Sequence, residues 1–116
     1  MKKIFLLIFL SMSLMKVNAQ SCSELMSEIK SNYTGFTYNS YTSTAISKVT
    51  FYDVKIDYNS YYFAIVTFKE NYTTRDYIYQ VASNTKLNYS MNYHSSAGEA
   101  FHKYIKPYDG NLNCGR

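Results

Sequence analysis

The chain has 116 residues, a formal net charge of +4, 18% aromatic residues that include 14 Tyr and no Trp, and one Pro. This length holds one small domain and excludes a multi-domain enzyme with a large enclosed cofactor site. Lys2, Lys3 and Lys16 sit in an opening segment without acids, and the remainder is close to neutral, which argues against a polyanion-binding domain.

That opening segment reads as an export signal over residues 1–19, with two lysines, an apolar run and then small or polar residues up to Ala19. The apolar run from Ile4 to Met15 is about a dozen residues, short of the roughly 20 that span a bilayer as a helix. Val17 and Ala19 supply the small side chains a signal peptidase accepts, which puts Gln20 first in the mature protein. The alternative is a lipoprotein acylated at Cys22, although Ala19-Gln20-Ser21 lacks the usual Leu and carries a bulky Gln before that Cys. The expected location is the periplasm or the extracellular space. The Asn- and Tyr-rich bias points to a bacterial exported protein.

The cysteines, Cys22 and Cys114, enclose nearly all of the mature chain. In an oxidising compartment they are expected to pair. A nucleophilic Cys served by His94 or His102 is the alternative, but chain ends are poor places for a preorganised nucleophile.

Ser21-Cys22-Ser23-Glu24 fits a capping box, and Cys22, Leu25, Met26 and Ile29 then recur at helical spacing, predicting a short helix over 22–31. Asn32 to Thr44 reads as a connecting loop or irregular edge strand. Ile46 to Phe51 predicts a first strand, and 53–60 a turn. Tyr61 to Lys69 is the strongest strand. Tyr62, Ala64, Val66 and Phe68 line one face, and Tyr61, Phe63 and Ile65 the other. Apolar residues on both faces predict a central strand covered on both sides, with the N-terminal helix as the second cover.

After a turn over 70–74, residues 75–82 predict a third strand, with Tyr77, Tyr79 and Val81 opposite Asp76, Ile78 and Gln80. Ser83 is a candidate cap for a marginal helix over 84–93, with Leu87 and Met91 four apart. The last helix is clearer: Ala97, Ala100, Phe101, Tyr104 and Ile105 share a face, Ser96 and Glu99 form a capping box, and Pro107 ends it. The expected fold is α+β, a small antiparallel sheet of about three strands with an added N-terminal helix and one or two C-terminal helices.

The order of these elements and the residues on them resemble the KTSC domain, the short module found at the C-terminus of some lysyl-tRNA synthetases. Ser43, Ile46, Val49 and Phe51 resemble its opening strand, and Tyr77-Ile78-Tyr79 its central YxY motif. Ser96, Gly98, Phe101, Ile105 and Tyr108 resemble its closing Ser-x-Gly turn and helix. Thr50 stands where the family usually has Gly, His102 replaces a common Asn, and the loops before Tyr61 and Tyr77 are longer. The resemblance covers 43–108. It leaves 20–42 as an added helix and loop, and 109–116 as a tail carrying the second Cys. It implies a three-stranded sheet with helices, no known enzymatic activity, and a proposed RNA-binding role.

Tyr77 and Tyr79 are candidate stacking residues for single-stranded nucleic acid, or else core residues beside Val81; Lys103 and Lys106 form a small basic patch. The near-neutral mature charge disfavours nucleic acid. His94, Glu99 and His102 invite a metal or hydrolase reading, but Glu99 is explained as a cap, and Ser95 and Ser96 lack a nucleophile elbow. Gly98, in the first turn of the last helix, leaves room for a phosphate at the amides, or for close packing against the sheet. No catalytic residue, metal or cofactor is assigned. The tyrosines outnumber what one core holds, so a Tyr-rich surface for a protein or glycan partner is the preferred reading.

Overall fold

Phe63, Ala64, Ile65 and Val66 follow one another with no polar break, and a strand of that composition is stable only with an apolar layer on each side. The computed structural model, which describes residues 19–116 with side chains from Ser21 onward, places this strand inside such a sandwich. The export segment expected over 1–19 lies outside the described residues, save for the backbone of Ala19.

Among the described residues the elements run α1 (Ala19–Asn32), β1 (Phe36–Asn39), β2 (Ile46–Ile56), β3 (Asn59–Glu70), β4 (Thr73–Val81), α2 (Thr85–Asn92), α3 (Ala97–Tyr104) and a 3-10 helix (Lys106–Asn111). The strands form one antiparallel sheet in the order β1-β2-β3-β4. The fold is α+β as expected, with four strands where about three were expected.

The additional strand is β1, within the segment read as a loop or irregular edge strand. It is short and mostly exposed, and it is held by pairing Phe36 to Phe51 and Asn39 to Lys48. β2 also runs five residues past the predicted strand end, because Val54 and Ile56 continue the buried alternation that Tyr52 begins. The turn therefore shrinks to Asp57 and Tyr58, with φ of 52° and 69°, between the paired Ile56 and Asn59. Positive φ at both central residues matches the right-handed twist of the flanking strands; Asp57 is usual at the first position, whereas Tyr58 stands where Gly is preferred.

β3 divides the core. On one side Phe63 and Ile65, with Tyr52, Val54, Ile56 and Ile78, pack against Leu25 and Ile29 of α1 and against Leu112. On the other, Ala64, Val66 and Phe68, with Val49, Phe51, Tyr79 and Val81, pack against Tyr89 of α2 and Ala97, Ala100, Phe101 and Ile105 around α3. The N-terminal helix is thus the second cover, and a disulfide between Cys22 and Cys114, 92 positions apart, fastens it to the C-terminal segment.

Three local expectations are corrected. α1 begins at Ala19, so Ser21 lies inside the helix as a buried residue and is not its cap. In α2 the inward residues are Thr85 and Tyr89, while Leu87 and Met91 are 61% and 70% exposed. Tyr89 fills the space over Phe51 and Tyr38, which turns the Leu87 and Met91 ridge outward. Ser83 does not cap this helix. Asn84 holds the cap position without a side-chain bond, and Thr85 Oγ1 accepts from Ala82 N at 3.1 Å instead. α3 follows its expectation: Ser96 Oγ accepts from Glu99 N at 3.1 Å, and Pro107 stands at the start of the 3-10 helix.

Candidate ligand-binding cleft

The loop from β1 to β2 and the turn from α2 to α3 face each other across a cleft of about 440 Å³, lined by residues 39–45 on one side and 93–98 on the other. Both walls are fixed by the fold. Ser43 Oγ accepts from Ile46 N at 3.1 Å, and Ser43 O accepts from Lys69 Nζ at 2.6 Å. Ala45 O takes the backbone N–H of Lys69 at 2.8 Å. Opposite, Tyr93 stacks on the buried Tyr89 with ring centroids 5.4 Å apart and lies 5.3 Å from Tyr38, so its ring is anchored to the core. His94 lies against Tyr93 with centroids 4.2 Å apart and is itself exposed.

The cleft carries exposed aromatic surface and many hydroxyls. Tyr41 is 85% exposed at its rim. A Cβ built on Gly98 would meet only Ser96 Oγ, at 4.0 Å, so close packing against the sheet does not explain that glycine; its place is open to the cleft.

Behind the cleft, Tyr89 is fully buried, and its hydroxyl stands beside Ser40 Oγ; neither oxygen completes a hydrogen bond. Burial pushes the Tyr89 hydroxyl up to about 12, an effect that nearby Ser40 only partly offsets. Tyr79 is also raised, by burial foremost, against the opposing bond from Arg116 N. A tyrosine whose folded pKa exceeds its ordinary 10 contributes stability that is complete below pH 10 and is lost as pH rises toward the folded value. Denaturant midpoints are therefore expected to fall steadily from pH 10 upward. Tyr89→Phe is expected to reduce that slope and to raise neutral-pH stability by about 1 kcal/mol, because it removes a buried hydroxyl without a partner. An unchanged alkaline slope in the variant would contradict this.

The other sequence candidates lie elsewhere. Tyr79 is 1% exposed, packed at 5.5 Å from Phe101, and its hydroxyl accepts from Arg116 N at 3.1 Å. Tyr77 is half-buried and donates to Glu70 Oε2 at 2.9 Å. Lys103 lies over the Tyr104 ring at 5.4 Å, and Lys106 is exposed at the start of the 3-10 helix. None of these four lines the cleft. His94 and Ser96 do line it, whereas Glu99 and His102 do not. Among the described residues no three of His, Cys, Asp and Glu gather as a metal site, and no helix is long and apolar enough to cross a membrane.

A second polar cavity, of about 380 Å³, lies on the sheet face beyond the end of α1. There Lys30 Nζ and Thr67 Oγ1 both donate to Asp76, each at 2.6 Å. Burial would raise the Asp76 carboxyl, but these two bonds and the nearby lysine charges outweigh it and hold the group below 3.8. The Lys30–Asp76 pair there ties α1 to β4, and Lys48 adds a second cation to the lining.

Compared with protein-family models, with curated proteins and with solved structures, the chain matches none. The chemistry of the cleft is therefore read from its own side chains. Sequence reasoning weighed Ser95, Ser96, His94 and Gly98 on one wall as site residues, and on the opposite wall named Ser43 only as part of the opening strand. The available signal was the hydroxyl-rich run Asn39–Thr44 between two apolar strands, which local patterns describe only as a loop.

Proposed function

We propose that this chain is an exported, non-enzymatic binding domain, a KTSC-like sheet and helix unit with an added disulfide-fastened helix, whose ligand seats between residues 39–45 and 93–98. The observation that carries this reading is a cleft with walls bonded to the core and with Tyr41, Thr42, Thr44, His94 and Ser95 exposed on them, as in a largely pre-formed ligand site. Export is supported by the Cys22–Cys114 bridge, a bond that persists in oxidising compartments. A non-enzymatic role is supported by Ser96, whose hydroxyl is engaged as a helix cap rather than held as a nucleophile.

The RNA-binding alternative has less support. Burial of Tyr79 takes one of its two stacking residues out of reach of a base, and Tyr77 is tied to Glu70. The test is an amide-shift titration of the mature protein with three separate probes: a mixture of oligosaccharides, a tryptic peptide pool and a single-stranded RNA. A saturable response from residues 39–45 and 93–98 with one probe, lost in Tyr41→Ala, is the expected result. A salt-sensitive response to RNA centred on Tyr77, Lys103 and Lys106, or silence of the cleft with all three, would overturn the proposal.

A further inference from the structure

Resting on the reading of the cleft as a binding site, we infer that its ligand is a neutral carbohydrate. The lining contains no Lys, Arg, Asp or Glu, and His94 is its only titratable side chain apart from tyrosine. A site selected for phosphate, sulfate or carboxylate places cationic donors where the charge sits, and this one has none. A site for an apolar peptide side chain needs an aliphatic pocket, whereas the aliphatic side chains here are confined to Ala45 and Ala97.

What the cleft does supply suits a sugar. Most lining side chains end in a hydroxyl, which donates and accepts alike, as a sugar hydroxyl does. Ser43 and Ser96 are committed to backbone amides, leaving Thr42, Thr44 and Ser95 on the surface with no such bond to a backbone amide. Two aromatic surfaces flank these hydroxyls: the projecting Tyr41 ring and the Tyr93–His94 pair. The weakly polar C–H face of a pyranose packs on such rings, while its equatorial hydroxyls reach the polar groups between them. Gly98 adds an opening where the main chain meets ligand without an intervening side chain. The volume, about 440 Å³, falls in the lower part of the range for small-ligand sites and has room for a short oligosaccharide.

The test titrates the mature disulfide-bonded protein with neutral oligosaccharides (cello-, xylo-, malto- and chito-oligomers), acidic oligogalacturonates and the tryptic peptide pool, reading amide shifts. At least one neutral oligomer is expected to shift residues 39–45 and 93–98 with an affinity unchanged between low and high salt. Tyr41→Ala is expected to weaken it at least about tenfold, as loss of an aromatic anchor does, and Tyr41→Phe to retain it. Tyr41 is exposed, so neither variant threatens the fold. A response of the cleft to acidic oligomers or peptides but not to neutral ones would overturn the carbohydrate assignment and leave the binding site standing. Absence of any response at the cleft would overturn both.

Discussion

Removing the Cys22–Cys114 bridge by Cys114→Ser, or by reduction, is expected to lower the unfolding free energy by about 4 to 5 kcal/mol. The bridge joins residues 92 positions apart, so in the unfolded chain it closes nearly the largest loop the molecule allows. The chain-entropy model gives the largest gains to loops of that size. In a domain of this length the loss is a substantial share of a total of about 5 to 15 kcal/mol. It also falls unevenly. α1 has no strand partner and touches the sheet through one narrow stripe around Leu25 and Ile29, supplemented by the exposed Lys30–Asp76 pair. With the bridge open, α1 and the segment bearing Leu112 lose their mutual tether, while the α2 and α3 layer retains its contacts. Urea unfolding with and without reductant measures the total, and amide exchange locates it: α1 amides are expected to lose protection before those of α3. An unchanged midpoint, or full alkylation of both thiols in folded protein, would contradict the expectation.

Much of this layout was legible in the sequence where a single physical signal sufficed. The apolar run from Phe63 to Val66, with apolar residues on both faces of the strand, predicted burial on both sides, and the amphipathic helix expected over 22–31 and the paired cysteines indicated what forms the second cover. Ser96 was readable because capping is a local bond between neighbours. Features that depend on distant partners were not. β1 has four residues and an exposed pattern, so only its pairing with β2 makes it a strand. Leu87 and Met91 have the spacing of a buried face, but Tyr89, the larger ring on the same helix, takes the interior. Tyr79, beside Val81 on its strand face, read more readily as a core residue than as a stacking platform, and its packing against Phe101 puts it in the core. The cleft was the least legible element, because its walls lie about fifty residues apart in sequence and meet only through the sheet and the ring contacts of Tyr38, Tyr89 and Tyr93.

Phe63→Ala is expected to cost about 3 to 5 kcal/mol, the range for removing a buried Phe, and to do so more completely than an equal truncation in the opposite layer. Phe63 is 1% exposed at the centre of β3, between Tyr52 on β2 and Gln80 on β4, under α1. For the site to collapse, α1 would have to move toward the sheet. Its position is fixed by the disulfide at one end and by Lys30 on Asp76 at the other, so the cavity stays largely open. Phe68, by contrast, is ringed by Tyr77, Phe101 and the Arg116 guanidinium, groups on separate elements that can shift to fill a void. Denaturant unfolding of Phe63→Ala and Phe68→Ala checks the ordering, with Tyr61→Ala, half-buried on the same face as Phe63, expected to stay within about 1 kcal/mol. Opening the disulfide in the Phe63→Ala background frees α1 to close the cavity, so the two losses are expected to sum to less than their separate values, as for coupled neighbours. Full additivity would mean that the tether does not hold α1 off the sheet.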